Sequence, residues 1–436
     1  MSAEEFSTEE WAEIRRELND NPVRYGLPRR SYGSVVVASF NIRKLGSLRQ
    51  AGSTDGRNAD TMQFLADVCR HFDLIAVQEV LNETTAIQRL RELTGSDYGL
   101  LVSDVVGRYP GESGNEERLA YLYNRRLVQR GELVTEVSTS RTKVLKTIAE
   151  HHQEFFDLME ANETAQDLRT YRSETLPAFR EAERRGEDVR QPREPAFSVN
   201  VDTFVQFIRT PFAATFEVQG HPGLEPYRFL AVNAHLHFGR KADRRAEAGA
   251  LVEWILGKVR SGEGANTVLL GDLNFDFDNP TRDLVRIRDR YEELGGFTDR
   301  GGEVFVSFPF IFEHPRPHQD HTAGKVFRSN VVQTQTYDQI GVFSDDERVR
   351  ERIETTPDGH SAKEQWGRPG APDYGVFNFA ELFSRALNGG RGISELSSDE
   401  KTAFIARFEH RVSDHMPIWM RIPLPEGAEE GFPLDA

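Results

Sequence analysis

Several apolar segments of this sequence end in polar side chains that can bind a metal ion or transfer a proton. These side chains are Asn41, Glu79, His235, Asp272 with Asn274, Asp338, and Asp414 with His415. A single carboxylate beside a strand is usually a turn former or a helix N-cap, but recurrence at one strand after another indicates a shared site. A cluster of carboxylates and amides without cysteine suits a hard, oxygen-binding cation such as Mg2+, Mn2+ or Ca2+.

The apolar segments themselves are short and rich in β-branched or aromatic residues, which is typical of strands covered on both faces. They are Ser34–Phe40, Leu74–Gln78, Leu119–Tyr123, Phe229–Asn233, Thr267–Leu270, Gln339–Phe343 and a last one within Ser413–Ile422. Apolar residues recur at helical spacing in Ala59–Phe72 and in Ala242–Val259. Helices that alternate with strands predict a layered α/β domain, in which strand ends converge and assemble the site.

Composition and charge narrow the class of function and the compartment. The 436 residues include 54 basic and 70 acidic side chains, a net charge of −16, which argues against a protein that coats nucleic acid through a broad basic face. An enzyme that holds a few phosphates is compatible with that charge. The single cysteine, Cys69, excludes an internal disulfide framework, and no apolar run approaches the roughly 20 residues of a membrane span. Because the acidic N-terminus is also unlike a cleaved signal peptide, we expect a soluble, cytoplasmic protein.

Two segments interrupt the alternation of strands and helices. Arg141–Arg185, within a first insertion at about residues 138–197, is highly charged and nearly free of glycine, and it predicts two helices. The second insertion, at about residues 345–410, combines a loop rich in glycine and proline with the helical stretch Asn378–Leu387. Strand patterns resume after each insertion, so we predict one domain over residues 31–425, preceded by a helical extension and followed by a tail over residues 426–436. The helical insertion could bind a protein partner, select substrate or cap an edge, and the second insertion could form a lid or rim.

The polar residues and their strands form blocks that resemble the endonuclease/exonuclease/phosphatase superfamily. The blocks are SFNIRKLG (39–46), VQEV (77–80), NAHLHFG (233–239), LLGDLNFD (269–276), YDQIGV (337–342) and SDHMPI (413–418). They follow the order of the family and cover nearly the whole chain outside the two insertions. NEERLAYLYN (115–124) and FIRTPFAATFE (207–217) look more like the deoxyribonuclease I branch. The resemblance implies a four-layer α/β sandwich of two mixed sheets flanked by helices.

The resemblance also implies roles for the residues of these blocks. Glu79, helped by Asn41, would hold a divalent cation, and Asp272 and Asp414 would complete its surroundings. Asn274 would donate a hydrogen bond to a phosphate oxygen and stabilise developing charge.

A histidine–aspartate pair is implied by the same comparison. His415 would pair with Asp338, whose carboxylate orients the imidazole and raises its basicity so that it can activate water.

Further residues distinguish the branches of the superfamily. At the position of His235, deoxyribonuclease-like, sphingomyelinase-like and inositol-phosphatase-like members carry a histidine as a second acid/base. Exonuclease III-type members lack a histidine there. In the deoxyribonuclease branch a glutamate buttresses this histidine, which corresponds to Glu117 here. Arg118, Arg43 and Arg209 would then contact the nucleic-acid backbone. A basic group that follows the NAHLHFG block offers further phosphate contacts: Arg240, Lys241, Arg244 and Arg245.

The function expected from these observations is a Mg2+-dependent, deoxyribonuclease I-like endonuclease that hydrolyses DNA, with Mn2+ or Ca2+ as alternative metals. A phosphatase or phosphodiesterase for small molecules, inositol phosphates or phospholipid head groups is the alternative, because a shared fold does not determine substrate. A catalytically silent binding protein is disfavoured, since every residue that the chemistry requires is present.

Overall fold

Two six-stranded sheets form the centre of the structure, which is a computed structural model. The residues that it describes are 5–28, 34–50, 56–105, 116–137, single positions between 145 and 157, 163–187, 189–195, 207–218, 226–238, 241–264, 266–274, 305–308, 310, 327–344 and 374–423. Strands and helices are numbered below in chain order within this part of the chain. Arg240, one of the basic residues predicted to contact phosphate, lies outside the described residues.

The first sheet combines strands from both ends of the chain. Its members are β1 (Ser34–Leu45), β2 (Leu74–Leu81), β3 (Tyr98–Val102), β4 (Glu117–Asn124), β11 (Tyr374–Val376) and β12 (Ile418–Pro423). The spatial order is β11-β12-β1-β2-β4-β3. Strands β1 and β2 run parallel, and the other neighbouring pairs run antiparallel. The sheet is therefore mixed, as expected.

The second sheet has the same size and a similar pattern. Its members are β5 (Val128–Glu136), β6 (Phe212–Val218), β7 (Tyr227–His235), β8 (Asn266–Asp272), β9 (Phe305–Ser307) and β10 (Asp338–Ser344). The spatial order is β5-β6-β7-β8-β10-β9, and β7 and β8 form the parallel pair. Every strand predicted from the sequence is present in one of the two sheets, whereas β3, β5, β6, β9 and β11 are additional.

Helices cover the outer faces of both sheets. On the first sheet lie α1 (Thr8–Asp20), α2 (Ala59–Cys69), α3 (Thr85–Thr94), α7 (Phe379–Leu387) and α8 (Ser398–Ala406). On the second sheet lies α6 (Lys241–Arg260), whose Leu251 and Ile255 belong to the core of that side. This arrangement confirms the predicted four-layer α/β sandwich.

Strand β1 shows how the sequence pattern separates the two cores. Val35 and Val37 belong to the core between the sheets, while Val36 and Ala38 belong to the core beneath the helices. Successive side chains of a strand point to opposite faces, so a strand covered on both sides must be apolar throughout. The uninterrupted run SVVVASF is the result.

The amino-terminal helix is specified by a local capping motif. Ser7 accepts a hydrogen bond from the Glu10 amide at 3.2 Å, and the Glu10 carboxylate accepts one from the Ser7 amide at 2.8 Å. This reciprocal pair satisfies two amide groups at the start of α1. Trp11 and Ile14 are buried on the inner face of the helix, so the extension packs onto the first sheet.

The two predicted insertions differ in what they contribute. The first includes α4 (Glu163–Thr170) and α5 (Leu176–Arg184), joined by one π-helical turn. In the second, the described part supplies edge strand β11 and helix α7, whose Phe379 and Phe383 are fully buried. The described residues of this insertion therefore extend the first sheet by one strand and contribute to the helical layer that covers it. Among the described residues, no helix is long and apolar enough to cross a membrane.

Candidate functional site

The register of the second sheet brings three predicted site residues into one row. His235 at the end of β7 pairs with Asp272 at the end of β8, and Asp272 pairs with Asp338 at the start of β10. Residues that face each other on adjacent strands lie about 5 Å apart with their side chains on the same face. Three strand ends that are distant in the sequence therefore deliver three adjacent polar groups.

Asp272 is the centre of the site and is 2% exposed. Its Oδ2 lies 3.6 Å from Nε2 of His235 and 3.6 Å from Nε2 of His415. The same oxygen accepts a hydrogen bond from Asn41 Nδ2 at 3.0 Å, and Oδ1 accepts one from the Asn274 amide at 3.0 Å. Burial opposes ionisation of this carboxyl, but the neighbouring histidines and hydrogen-bond donors outweigh it and lower the pKa of Asp272.

The first sheet contributes Asn41 and Glu79 through an irregularity in the pairing of β1 with β2. The register shifts between Asn41 and Leu45, and both Lys44 and Glu79 have left-handed backbone, with φ of 48° and 58°. Non-glycine residues adopt this conformation at a cost that the surrounding structure must offset. Glu79 Oε1 accepts from Asn41 Nδ2 at 3.0 Å, and Glu79 Oε2 accepts from the Lys44 amide at 3.1 Å. The irregular backbone therefore orients the Glu79 carboxylate towards Asn41.

The predicted pair of His415 and Asp338 is formed. Nδ1 of His415 lies 2.8 Å from Asp338 Oδ2. Burial alone would lower the pKa of His415, but the carboxylates of Asp338 and Asp272 raise it well above the ordinary value. Burial raises the pKa of Asp338 in spite of the histidine. The pair therefore holds a proton strongly between two buried groups.

A second pair of the same kind links the two sheets. Nδ1 of His235 lies 2.8 Å from Oε2 of Glu117, which begins β4 of the first sheet. Arg209 Nε lies 3.0 Å from the same oxygen. Burial disfavours the charge, but His235 and Arg209 lower the pKa of Glu117 to about 2.

The donor set of the site fits a divalent cation. Among the described residues of the site, three buried oxygens accept no hydrogen bond: Asn41 Oδ1, Asp338 Oδ1 and Asp414 Oδ1. Potential ligand atoms of Asp272, Asp338 and His415 lie within 4.8 Å of one another. Orphaned carboxylate and amide oxygens are expensive to bury and are the ligands that Mg2+ and Ca2+ prefer. The predicted ligands Asn41, Glu79, Asp272 and Asp414 share only Asp272 with this cluster, so their assignment as the residues that would hold the ion stays a prediction.

The arginines predicted to contact phosphate each have a carboxylate partner. Arg43 forms an ion pair with Asp414 at 2.8 Å, and both side chains are partly exposed. Arg118 donates to the Ser103 carbonyl at 2.9 Å and lies 3.6 Å from Asp104. Together with the pair of Arg209 and Glu117, these contacts show where the three arginines lie in the absence of substrate. Their assignment to substrate stays a prediction.

Asn274 also makes contacts within the protein. Its Nδ2 donates to the Leu236 carbonyl at 3.0 Å, and its own carbonyl accepts from Arg244. Arg244, one of the predicted basic group, is thus buried against the backbone of the site. A carboxamide nitrogen carries two hydrogens, so the contact with Leu236 leaves one for a phosphate oxygen.

Three residues that support the site were missed by sequence reasoning. Ser413 donates to the Asn41 carbonyl at 2.7 Å and accepts from the His415 amide at 2.9 Å. Glu247 accepts from the amides of Ile208 and His237 at 2.8 and 2.7 Å. Arg57 donates to backbone carbonyls at the end of β1 and in the segment before β12. Ser413 lies inside the SDH block, but Glu247 and Arg57 have no local pattern that distinguishes them from surface charges.

Comparisons with known proteins were made on sequence and on structure. No family model matches the chain, and no curated protein matches it. Among solved structures, the chain is similar to an endonuclease/exonuclease/phosphatase family protein from Bacteroides thetaiotaomicron, with 15% identity, a TM-score of 0.40, and coverage of 91% of this chain and 99% of that one. A mannosyl-6-phosphatase from the same organism aligns with 15% identity, a TM-score of 0.40, and coverage of 89% and 100%. The catalytic domain of human Nocturnin aligns with 9% identity, a TM-score of 0.43, and coverage of 90% and 95%. Similarity at this level carries no argument about activity or substrate.

Proposed function

We propose that this chain is a divalent-metal-dependent phosphodiester hydrolase of the endonuclease/exonuclease/phosphatase superfamily, and that it cleaves DNA as a deoxyribonuclease I-like endonuclease. The observation that carries the proposal is the convergence of two imidazoles on one carboxylate. Nε2 of His235 and Nε2 of His415 each lie 3.6 Å from Asp272 Oδ2. Each ring is oriented by a carboxylate on its other nitrogen.

The chemistry of phosphodiester hydrolysis matches this arrangement. The attacking water must lose a proton, and the leaving oxygen must gain one. Two histidines that face the same oxygen of Asp272 can divide these tasks, because one Nε2 can accept a proton while the other donates one. A cation held by Asn41, Glu79 and Asp272 would neutralise phosphate oxygens. Asn274 and Arg43 would contribute donors to the same phosphate.

One observation favours a small phosphoester as the alternative substrate. Arg43, Arg118 and Arg209 each face a carboxylate of the protein, and the net charge of the chain is −16. A polymer with many phosphates would have to displace these carboxylates. A phosphatase or phosphodiesterase for sugar phosphates, inositol phosphates or lipid head groups needs fewer cationic contacts.

An assay on supercoiled plasmid and on small phosphoesters distinguishes the two substrates. We expect the purified protein to nick plasmid in Mg2+ or Mn2+ and to be inactive in EDTA. Nicking should fall steeply between roughly 50 and 200 mM salt, since each neutralised phosphate adds nearly one unit to the salt slope. Hydrolysis of inositol phosphates or p-nitrophenyl phosphate with plasmid left intact would contradict the nuclease proposal. Full activity in EDTA would contradict metal dependence.

A matched pair of arginine variants tests the contact with the polymer. Arg118 and Arg126 lie near opposite ends of β4, and each faces an aspartate, at 3.6 and 2.8 Å. Arg118→Ala should flatten the salt slope of plasmid cleavage by about one unit. Arg126→Ala, at the end away from Glu117, should leave the slope unchanged. Equal slopes for both variants would remove Arg118 from the DNA contact.

A further inference from the structure

Arg57 is a buried cation that no block of the sequence includes. It is 7% exposed, and its guanidinium donates to carbonyls of three residues, two at the end of β1 and one in the segment before β12. The acceptors are Lys44 at 3.0 Å, Arg43, and Val412 at 3.5 Å. Burial lowers the pKa of Arg57 to about 10, so the side chain keeps its charge at neutral pH.

The first segment held by Arg57 is the end of β1, which donates a hydrogen bond to the Glu79 carboxylate. Lys44 has a φ of 48°, and its amide donates to Glu79 Oε2 at 3.1 Å. A lysine in this conformation is strained relative to glycine. The hydrogen bond from Arg57 to the Lys44 carbonyl offsets that cost, because it is made in the conformation that directs the amide at Glu79.

The second segment held by Arg57 leads into the SDH block. Val412 precedes Ser413, whose hydroxyl bonds the Asn41 carbonyl and the His415 amide. Asp414 follows and pairs with Arg43 at 2.8 Å. One guanidinium therefore joins the end of β1 to the segment before β12, and each of these two segments carries residues expected to hold the cation.

Arg57 is itself held firmly in place by its backbone. Its amide donates to the Ser47 carbonyl at 3.1 Å, and its carbonyl accepts from the Arg49 amide at 2.9 Å. The Glu5 carboxylate bonds the Arg49 guanidinium at 2.6 and 2.7 Å and the Asn58 amide group at 3.3 Å. The segment that precedes α1 thus supports the turn that carries Arg57.

We propose that Arg57 is a positioning residue for the cation site, which makes cation affinity depend on a side chain that cannot be a ligand. The proposal rests on the metal-dependent hydrolase proposed above. Without Arg57, we expect Lys44 to leave the left-handed conformation, the Glu79 carboxylate to lose its backbone donor, and the Ser413 hydroxyl to move away from the Asn41 carbonyl. Residues that orient ligands from behind commonly change metal affinity by about 10- to 100-fold.

The test measures cation binding without substrate. Arg57→Met keeps much of the side-chain volume and removes the donors. Arg70→Met is the matched control, because Arg70 also donates to backbone carbonyls, those of Leu93 and of Thr94 at 3.1 Å, but at the far end of α2. Mn2+ affinity is measured by calorimetry and by the Mn2+-dependent rise in Tm. We expect at least about a tenfold weaker affinity in Arg57→Met and an unchanged affinity in Arg70→Met.

A rescue variant separates positioning from general destabilisation. Glycine adopts a positive φ without strain and keeps the amide, so Lys44→Gly in the Arg57→Met background should restore part of the Mn2+ affinity. Arg57→Lys, which keeps the charge, should lie between wild type and Arg57→Met, and it replaces the methionine variant if that one does not fold. Wild-type affinity in the Arg57 variants, or no rescue by Lys44→Gly, would overturn the proposal. If the wild-type protein binds no Mn2+, the metal-dependent function fails and the role of Arg57 fails with it.

Discussion

Two histidine–carboxylate pairs face the same oxygen of Asp272 with nearly the same geometry. In each pair Nδ1 lies 2.8 Å from a carboxylate, and Nε2 lies 3.6 Å from Asp272 Oδ2. The pairs differ behind the carboxylate. Glu117 has Arg209 as a second cationic partner, whereas Asp338 Oδ1 accepts no hydrogen bond.

This difference changes where protons are held. Arg209 and His235 together outweigh burial and lower the pKa of Glu117 to about 2, so this carboxylate is a permanent anion that orients its histidine. Burial raises the pKa of Asp338, and the pKa of His415 is raised by its carboxylate neighbours against the effect of burial. His415 is also the more exposed ring, at 12% against 4% for His235. Equal distances therefore produce one pair with a charged carboxylate, Glu117 with His235 (the anionic pair), and one proton-holding pair, Asp338 with His415.

Removing the shared carboxylate should have the largest effect. Asp272→Asn takes away the negative charge that both imidazole rings face, so neither histidine is held in its present orientation. We expect kcat of Asp272→Asn to be about 10³-fold lower than that of wild type, within the range for a positioned acid/base group. The rate of phosphodiester hydrolysis is measured for both proteins, and circular dichroism verifies that the variant is folded. A loss below tenfold would mean that the two pairs act without Asp272.

The proton-holding pair should behave as one unit. His415→Ala and Asp338→Ala should each lower the rate by on the order of 10²-fold. The double variant should lose little beyond the worse single variant, since a base and its orienting carboxylate are non-additive when removed together. Losses that add in log rate would show two independent residues.

The anionic pair should contribute more to the free energy of unfolding than the proton-holding pair. Glu117→Gln leaves Arg209 facing a neutral amide, and the fall of the Glu117 pKa from 4.5 to about 2 corresponds to about 3 kcal/mol of unfolding free energy. Asp338→Asn should cost much less, because burial already disfavours the charged form of Asp338. Urea denaturation at pH 7 measures both. Equal losses would contradict the distinction between the pairs.

Lowering the pH should change the stability contributed by Glu117 and by Asp338 in different ways. The folded pKa of Glu117 is below the unfolded value, so its stabilisation is complete above about pH 4.5 and is lost as pH falls towards 2. The difference in stability between wild type and Glu117→Gln should therefore shrink over that window. For Asp338 the pKa is raised, so acidification should not shrink a stabilising contribution in the same way. Parallel pH profiles for Glu117→Gln and Asp338→Asn would argue against the assignment.

The smallest expected effect comes from a substitution that makes the anionic pair resemble the proton-holding pair. Arg209→Met removes the second cation from Glu117, so the pKa of Glu117 should rise towards its ordinary value. The loss of stability on acidification should then begin at a higher pH, while kcat should fall less than about tenfold because His235 keeps its carboxylate. A rate loss as large as that of His415→Ala would instead indicate that Arg209 contacts substrate.

Local patterns in the sequence predicted the layered α/β class and most of the polar residues that the structure brings together around Asp272. The apolar strands predicted at Ser34–Phe40 and Leu74–Gln78 are present as β1 and β2, and the helix predicted at Ala242–Val259 is present as α6. Such patterns work because burial on one or two faces imposes a short period on the residues themselves. Strands β3, β5, β6, β9 and β11 were missed. For β3 and β5 the reason is that these edge strands bury less of their side chains, so their pattern is weaker.

Supporting contacts could not be read in the same way. The 2.8 Å bonds from the amides of Ile208 and His237 to Glu247 and the contacts of Arg57 join residues that only folding brings together. A buried arginine and an exposed one look identical in sequence. Their difference lies in which carbonyls the fold leaves without donors.

The sequence by itself determined the composition of the site: carboxylates, amides and two histidines at strand ends, without cysteine, in the order of a recognisable set of blocks. Only the tertiary structure decided how these groups are joined. The pairing of His235 with Asp272 and of Asp272 with Asp338 is a matter of strand register across distant segments. The positive φ of Glu79 and the position of Arg209 behind Glu117 also follow from packing. Protonation depends on such neighbours through burial and charge, so two pairs alike in residue type acquired different chemistry.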